Sequence, residues 1–489
     1  MKNYIAVDIG ASSGRAVLAH VEDGDIKIQE INRFANGFTT QNQQEVWDVD
    51  YLFDEIIISL ERAKTLGVRS CYLSIDTWGV DYIFLDDKSK RLQEAVSYRD
   101  TRTNHTMEKV FQLITKHDIY NKTGIQFLQF NTLFQLYEEC KSVKQQAEYI
   151  LLVPDYLNFR LTGRLTNEVT NLSTTQLLDL YGYNLNNELL EIVDIKPQQF
   201  AEVVEPGTYL GDVRPDIHKL HNLPETCVYA TASHDTASAV LGSVGHSGKD
   251  WAFLSSGTWS LIGQELSEPI VSENAFNQGY SNERGIQGTY RFLKNIIGMW
   301  IIQRVRKDWP KNYTFPEMVK QAQQHTDFKV FVDFNDARFI NPNNMVEAIQ
   351  TYCIETGQSV PQTIGELAQT VYLNLAIIYA VSIEALNEIT GSTIEVINIV
   401  GGGSNNEYLN ELTAYYTNCD IIVGPVEATV FGNLAATMIA TEQFKDIAEA
   451  RQAIAQSNML QHIMTPKDTT DRITDINLFK EATQYAHKL

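Results

Sequence analysis

The chain is poor in cysteine, in positive charge and in unbroken apolar stretches, and each shortage removes a class of protein. Five cysteines occur among 489 residues, at Cys71, Cys140, Cys227, Cys353 and Cys419. They are odd in number, scattered, and never in a C-x-x-C pattern. This argues against a disulfide framework and structural zinc, and for a reducing compartment, the cytoplasm. Lys and Arg total 39 against 61 Asp and Glu, a net charge of −22. So acidic a surface repels nucleic acid and anionic membrane, and no partner of either kind is expected. An anionic substrate needs local dipoles, a few cations or a metal ion. No apolar run approaches the ~20 residues of a membrane span. Residues 373–386 come nearest, but Glu384 interrupts them and their period suits a buried helix. The chain starts without a basic-then-apolar leader. Two familiar phosphate motifs are also missing. Gly401-Gly402-Gly403 is followed by Asn406 where G-x-G-x-x-G needs glycine, and Gly248-Lys249 is followed by Asp250 and preceded by Ser243, which breaks a P-loop.

What is present is a pair of glycine turns about half the chain apart. The first is Asp8-Ile9-Gly10-Ala11-Ser12-Ser13-Gly14-Arg15, between the apolar residues 4–7 and 16–19. The second is Ser255-Ser256-Gly257-Thr258, between residues 251–254 and 259–262. Each reads as strand, hydroxyl-rich turn and returning strand, which gathers N–H groups and hydroxyls at one point and suits a phosphate. Either turn alone is equally a plain hairpin connection. Their recurrence suggests a duplicated domain holding one nucleotide, and the length allows two to three domains at roughly 150 residues each. Mixed strands and helices in two similar halves argue for an α/β class.

Along the chain, residues 4–35 read as three strands and residues 51–66 as an amphipathic helix stopped at Gly67. Residues 71–75 are a buried strand. Residues 101–200 read as mostly helical with a break at Pro154-Asp155. Residues 228–231 are a strand and 236–241 begin a helix. Segment 243–250 is the best linker. The pattern then restarts: a hairpin over 251–266, a strand and a helix over 288–308 with the helix at 294–306, a helix pair over 362–390, and a β-branched strand over 394–400. The resulting division is 1–243, 250–442 and a helical tail, 443–489.

Several clusters carry chemistry. Ser12 and Ser13 with the turn N–H groups can hold terminal phosphates, Arg15 adds a fixed positive fork, and Asp8 at the strand end can hold Mg²⁺ through water. Asp235, in Ser233-His234-Asp235-Thr236, is either a helix cap or a general base that takes the proton from a hydroxyl attacking a γ-phosphate. His234 is either structural or a hydrogen-bond partner of a substrate hydroxyl. Asp76-Thr77-Trp78-Gly79-Val80-Asp81 is either a polar turn with a core tryptophan or a sugar-binding loop. Ser97-Tyr98-Arg99-Asp100-Thr101-Arg102 offers similar groups or a surface ion-pair cluster. Gly401-Gly402-Gly403-Ser404 is either a flexible connection or a place where a flat ring meets bare backbone.

In this order the segments resemble the actin-like ATPase superfamily, and within it the FGGY carbohydrate kinases. The likeness rests on residues 7–15, 75–81, 97–100, His234-Asp235-Thr236-Ala237-Ser238-Ala239, Leu254-Ser255-Ser256-Gly257-Thr258-Trp259-Ser260-Leu261 and Gly401-Gly402-Gly403-Ser404, spanning about residues 4–440. It implies two ribonuclease H-like domains with a ligand cleft between them. It implies ATP contacts at Ala11, Ser12, Ser13, Gly14, Arg15, Thr258 and Gly402. It implies sugar contacts at Gly79, His234, Asp235 and Thr236, with Asp235 as the base. Residues 294–303 resemble a family segment in which Asn295 would reach the sugar and Gln303 the nucleotide. Glycerol and xylulose kinases usually carry glycine before the catalytic aspartate. His234 there favours L-rhamnulose, phosphorylated at its C1 hydroxyl with ATP and Mg²⁺. The alternatives are another ketose, L-fuculose or L-xylulose, or a nucleotide-switched protein of the actin and Hsp70 kind. A monomer or homodimer is expected.

Overall fold

The computed structural model describes residues 2–246, 248–466 and 470–486. The proposed linker, 243–250, therefore includes one residue, Ser247, outside the described residues. The chain forms two compact units. The first gathers Met1–Val244, Glu265–Phe292 and Ala428–Asn458; the second gathers Gly245–Gln264, Leu293–Glu427 and Met459–Leu489.

The first unit is built on a twisted mixed sheet. Tyr4–Ile9 runs antiparallel to Ser13–Glu22, which runs antiparallel to Asp25–Ala35. On its other edge Tyr4–Ile9 pairs parallel with Ser70–Thr77, and that strand pairs parallel with Glu225–Tyr229. The helix Val49–Thr65 crosses between the antiparallel and the parallel part. Asp48 caps it by accepting from the N–H of Tyr51, and Leu52, Ile56, Ile57 and Leu60 face a core with Ile5, Val7, Leu73 and Ile75. A second core, around Phe84, Phe134, Ile150 and Leu172, holds the short helices of residues 101–200 together. There Pro154 stands in the first turn of the helix Val153–Thr162 instead of breaking one, because an N-terminal proline gives up no helical hydrogen bond.

The second unit repeats the same strand scheme. Trp251–Ser256 pairs antiparallel with Trp259–Leu266 and parallel with Val396–Val400, which pairs parallel with Asp420–Val423. A hairpin followed by two parallel strands is thus used twice. Two elements differ from the sequence reading. Residues 362–390 form one helix, Ile364–Thr390, opened by a Thr363/Glu366 capping box and closed at Gly391. Residues 294–297 belong to the strand Tyr290–Ile297, and the helix begins only at Trp300. By length and composition Ile364–Thr390 could cross a membrane, with a mean hydropathy of 1.4, but 89% of that window is buried inside the protein.

Candidate active site

Strand register in the first unit sets three charged side chains in a row. Arg15 lies opposite Asp8, and Asp8 lies opposite Asp76 on the next strand. In-register neighbours share a face of the sheet. Arg15 grips Asp8 through Nη2 at 2.9 Å and Nε at 3.1 Å, both on Oδ2. Asp76 is fully buried, and its Oδ2 accepts from Asn433 Nδ2 while Oδ1 has no hydrogen-bond partner. Burial pushes the Asp76 carboxyl well above the ordinary range, and the neighbouring charge of Asp8 adds to the push.

Asp235 comes to the same region from the adjacent loop. The N–H of Thr77 donates to Ser233 O at 2.9 Å, tying the end of the Asp76 strand to the residues before the base candidate. The buried Glu168 fixes that loop further: its Oε2 accepts from Ser233 N at 3.0 Å and Ser233 Oγ at 2.6 Å, and its Oε1 from Thr170 N at 2.8 Å. Asp235 is the first residue of the helix Asp235–Leu241; His234 holds the cap position and makes no capping bond. The Asp235 side chain keeps 32% of its surface exposed and accepts from Thr236 Oγ1 at 3.1 Å. Burial raises its pKa, His234 opposes the rise, and Asp8 adds to it.

The helix that starts at Asp235 is seated against Ala428–Ala440, the helix carrying Asn433, with backbones nearly touching. A Cβ on Gly432 would fall 1.8 Å from Ser238 O, and one on Gly242 would fall 2.0 Å from Ala428 O. Only glycine at both positions allows that approach. Asp235 and Asp76 are therefore positioned by one helix pair.

Behind His234 lies a buried charge pair that the sequence reading did not single out. Arg291 Nη1 stands 3.0 Å from Glu283 Oε2, with side chains 1% and 7% exposed. His234 Nδ1 is 3.3 Å from Arg291 Nη2 and 3.4 Å from Glu283 Oε2, and its Nε2 is 3.5 Å from Asp235 Oδ1. Burial alone would raise the Glu283 carboxyl, but Arg291 and His234 outweigh it and hold it below its usual range. The available signal was the charged residues inside two strands, Ser281–Arg284 and Tyr290–Ile297.

The first hairpin turn is closed by Gly10 N donating to Ser13 O at 2.9 Å and braced by Asn36, whose Nδ2 donates to Gly10 O at 2.7 Å. Ser12 and Ser13 are exposed, and Ala11 packs partly on the core. Gly14 is needed for packing: a Cβ there would sit 2.2 Å from the Phe34 ring. In the 76–81 loop, Trp78 is 5% exposed and packs against Trp47, ring centroids 4.3 Å apart and planes tilted by 41°. Asp81 is buried and accepts from Trp47 Nε1, Trp78 Nε1, Tyr98 N and Gln135 Nε2. Both belong to the fold rather than to a sugar. Gly79 remains partly open, its Cα beside Thr174. In the 97–102 segment, Asp100 accepts from the N–H groups of Glu45 and Arg102, and Arg102 pairs with Glu139 at 2.9 Å.

In the second unit the turn at Gly257 and Thr258 packs on the residues before the helix Trp300–Asp308. Met299 N donates to Gly257 O at 2.9 Å and Gly298 N to Thr258 O at 3.2 Å. The triple glycine is seated on the same hairpin. A Cβ on Gly403 would lie 2.1 Å from Ser256 Oγ and one on Gly401 2.8 Å from Ser256 O, whereas Gly402 has no atom within 4 Å. Gln303 is exposed on the helix, and Asn295, half-buried, lies on the preceding strand. The structure thus gathers Asp8, Arg15, His234, Asp235 and Thr236 in the first unit, with Ala11–Gly14 and Gly79 at the strand ends beside them. Thr258, Asn295, Gln303 and Gly402 belong to the second. Among the described residues no three acidic, histidine or cysteine side chains converge as a metal cage.

Profiles of the FGGY family of carbohydrate kinases match residues 3–242 with the N-terminal domain and 252–441 with the C-terminal domain. A rhamnulokinase of Bacillus subtilis (strain 168) is 48% identical over 98% of both chains. A rhamnulokinase of Ligilactobacillus salivarius (strain UCC118) is 46% identical over 94% of this chain and 95% of its own. Among solved structures, a ligand-bound xylulose kinase from Lactobacillus acidophilus superposes with a TM-score of 0.82 at 17% identity, covering 99% of this chain and 98% of the other. A Plasmodium falciparum glycerol kinase with ADP gives 0.77, also at 17% identity, over 99% and 98%. These two share the fold.

Proposed function

The chain belongs to the FGGY family of carbohydrate kinases, and from that premise we propose that it transfers the γ-phosphoryl group of ATP to the C1 hydroxyl of L-rhamnulose, giving L-rhamnulose 1-phosphate and ADP. The observation that carries the reading is Asp235, a carboxylate raised by burial yet 32% exposed at its side chain, at a helix start next to His234. The relatives named rhamnulokinase, at 46–48% identity over nearly whole chains, support the substrate.

In this reading Asp235 accepts the C1 hydroxyl proton on a carboxylate oxygen while the sugar oxygen bonds to phosphorus and ADP leaves. A raised pKa makes it a stronger base at neutral pH. Gly79, His234 and Thr236 bind the sugar hydroxyls, and Asn295 is a further sugar contact. Ala11, Ser12, Ser13, Gly14 and Arg15 contact ATP phosphates; of the second unit's residues, Thr258 contacts phosphate, Gly402, facing open space, contacts the adenosine, and Gln303 contacts the nucleotide. Phosphoryl transfer asks the protein mainly for positioning and electrostatic stabilisation.

A divalent ion fits the residues present only as a hydrated partner of the nucleotide. Asp8 keeps a partly exposed carboxylate, Asp76 offers an unpartnered buried oxygen, and no full cage exists among the described residues. That suits Mg²⁺, which retains its waters, and bound there it would neutralise phosphate charge. In this reading the enzyme works in the cytoplasm as a monomer or homodimer; its five free cysteines support a reducing compartment.

The test is sugar-stimulated ADP release across L-rhamnulose, L-fuculose, L-xylulose, D-xylulose and glycerol. A site built to bond hydroxyls rejects misplaced ones strongly, since a buried polar group is then left unpaired. L-rhamnulose should give the highest kcat/KM, with L-fuculose or L-xylulose as weak substitutes. Faster phosphorylation of glycerol or D-xylulose would overturn the substrate.

A further inference from the structure

We propose that Arg291 and Glu283 are positioning residues that fix the His234 ring with Nδ1 as the acceptor and the proton on Nε2, aimed at Asp235 and the acceptor sugar. The proposal rests on the reading of Asp235 as the base. A guanidinium only donates hydrogen bonds. With Arg291 Nη2 at 3.3 Å, His234 Nδ1 is therefore the accepting nitrogen, and the ring proton resides on Nε2. Nε2 lies 3.5 Å from Asp235 Oδ1. Which ring nitrogen carries the proton is set by the bond the other nitrogen makes.

Glu283 completes the device. Its Oε2 is nearer to Arg291 Nη1, at 3.0 Å, than to His234 Nδ1, at 3.4 Å. The guanidinium thus absorbs the carboxylate charge that would otherwise draw a proton onto Nδ1. Without Arg291, Glu283 would accept from Nδ1–H and leave Nε2 an acceptor, with no donor for the sugar. The pair is buried, with side chains 1% and 7% exposed, so it acts through His234 and not on the sugar. The arrangement also orients the ring. A fixed Nε2–H is a donor at one place, and it selects a sugar oxygen that accepts there.

Two measurements on the full chain test this. The first is ¹⁵N NMR of histidine-labelled protein without substrate, with His234 assigned by its loss in His234→Gln. The expected spectrum shows Nδ1 unprotonated and Nε2 protonated. A protonated Nδ1 would overturn the proposal, and this readout stands even if variants of the buried pair fold badly. The second is a double-mutant cycle. Arg291→Lys should lower kcat/KM for L-rhamnulose about tenfold or more with KM for ATP within about twofold, and should cost nothing further in a His234→Gln background, because residues acting as one unit are non-additive. An Arg291→Lys loss that appears in full on top of His234→Gln would show a purely structural role and refute the proposal. Failure of the underlying kinase reading is seen separately, as native protein whose ADP release no sugar stimulates; it removes the proposal whatever the tautomer.

Discussion

Gly432→Ala should damage both stability and turnover, although alanine is the better helix former. In an open helix the exchange stabilises by about 1 kcal/mol. Here the added methyl would lie 1.8 Å from Ser238 O, 2.7 Å from Ser238 C and 2.8 Å from Gly242 N, all of them backbone atoms. No rotamer change relieves such a contact; one helix must move by more than 1 Å. Overpacking of this kind costs about 1–3 kcal/mol, or more where backbone is the obstacle, so the propensity gain is outweighed. The displaced elements are those that matter for chemistry. Asp235 heads one helix, and Asn433, the neighbour of the substituted residue, holds Asp76 on the other. A misplacement of about 1 Å at reacting groups can lower rate about 10²-fold. The assay compares native protein, Gly432→Ala and Gly37→Ala, whose added Cβ meets nothing within 4 Å, by calorimetric melting and by kcat with saturating ATP and sugar. Gly432→Ala should melt several degrees lower with kcat strongly reduced, and Gly37→Ala should match the native protein. A Gly432→Ala variant with native melting and native kcat would refute the account of how the two helices place the base.

Three further outcomes follow from single groups. Asp235→Asn should keep the fold and nucleotide binding while lowering kcat by roughly 10²–10⁴-fold; near-normal turnover in steady-state kinetics would remove it as the base. Asp81→Asn should lower stability by about 1–3 kcal/mol in thermal melts, because a neutral amide cannot accept from Trp47, Trp78, Tyr98 and Gln135 together. Unchanged melting would mean that those bonds are replaceable. Asp155 is buried beside Glu168, and burial first, then that charge, raise its pKa well above the ordinary value. Its contribution to stability is present below the unfolded value of ~3.9 and is lost as pH rises through the elevated folded value. Asp155→Asn, which retains an acceptor for the N–H of Glu168, should therefore raise the melting temperature at pH 8, with the gain shrinking toward pH 4.

The parts of the fold legible in the sequence were those set by local chemistry. The two hairpins show as apolar strands around hydroxyl-rich glycine turns, and Asp235 shows as an acid at a strand-to-helix junction. Their side-chain partners were not legible, because those arise from distant segments. Arg291, Glu283 and Asn433 reach the site from residues far along the chain, and no spacing rule connects them to His234 or Asp76. Asp81 was ambiguous for a similar reason. A carboxylate in a polar turn reads as open to ligand until Trp47 and Gln135 are seen to fill both of its oxygens. The helix expected at 294–306 began too early, since Ile296 and Ile297 suit a strand end as well as a helix start, and the strand pairing decided it. The glycines were found but not their reasons. Gly14, Gly401 and Gly403 make room for Phe34 and Ser256, and of the three consecutive glycines Gly402 alone faces open space.

The most direct test of the central claim is the position of the phosphate in the product. Native enzyme is incubated with ATP, Mg²⁺ and L-rhamnulose, and the mixture is read by ³¹P NMR with ¹³C coupling to locate the ester. The account predicts one phosphomonoester, on C1, formed in step with ADP, and its loss in Asp235→Asn. ADP accompanied by inorganic phosphate with no sugar ester, or an ester on a carbon other than C1, would contradict it.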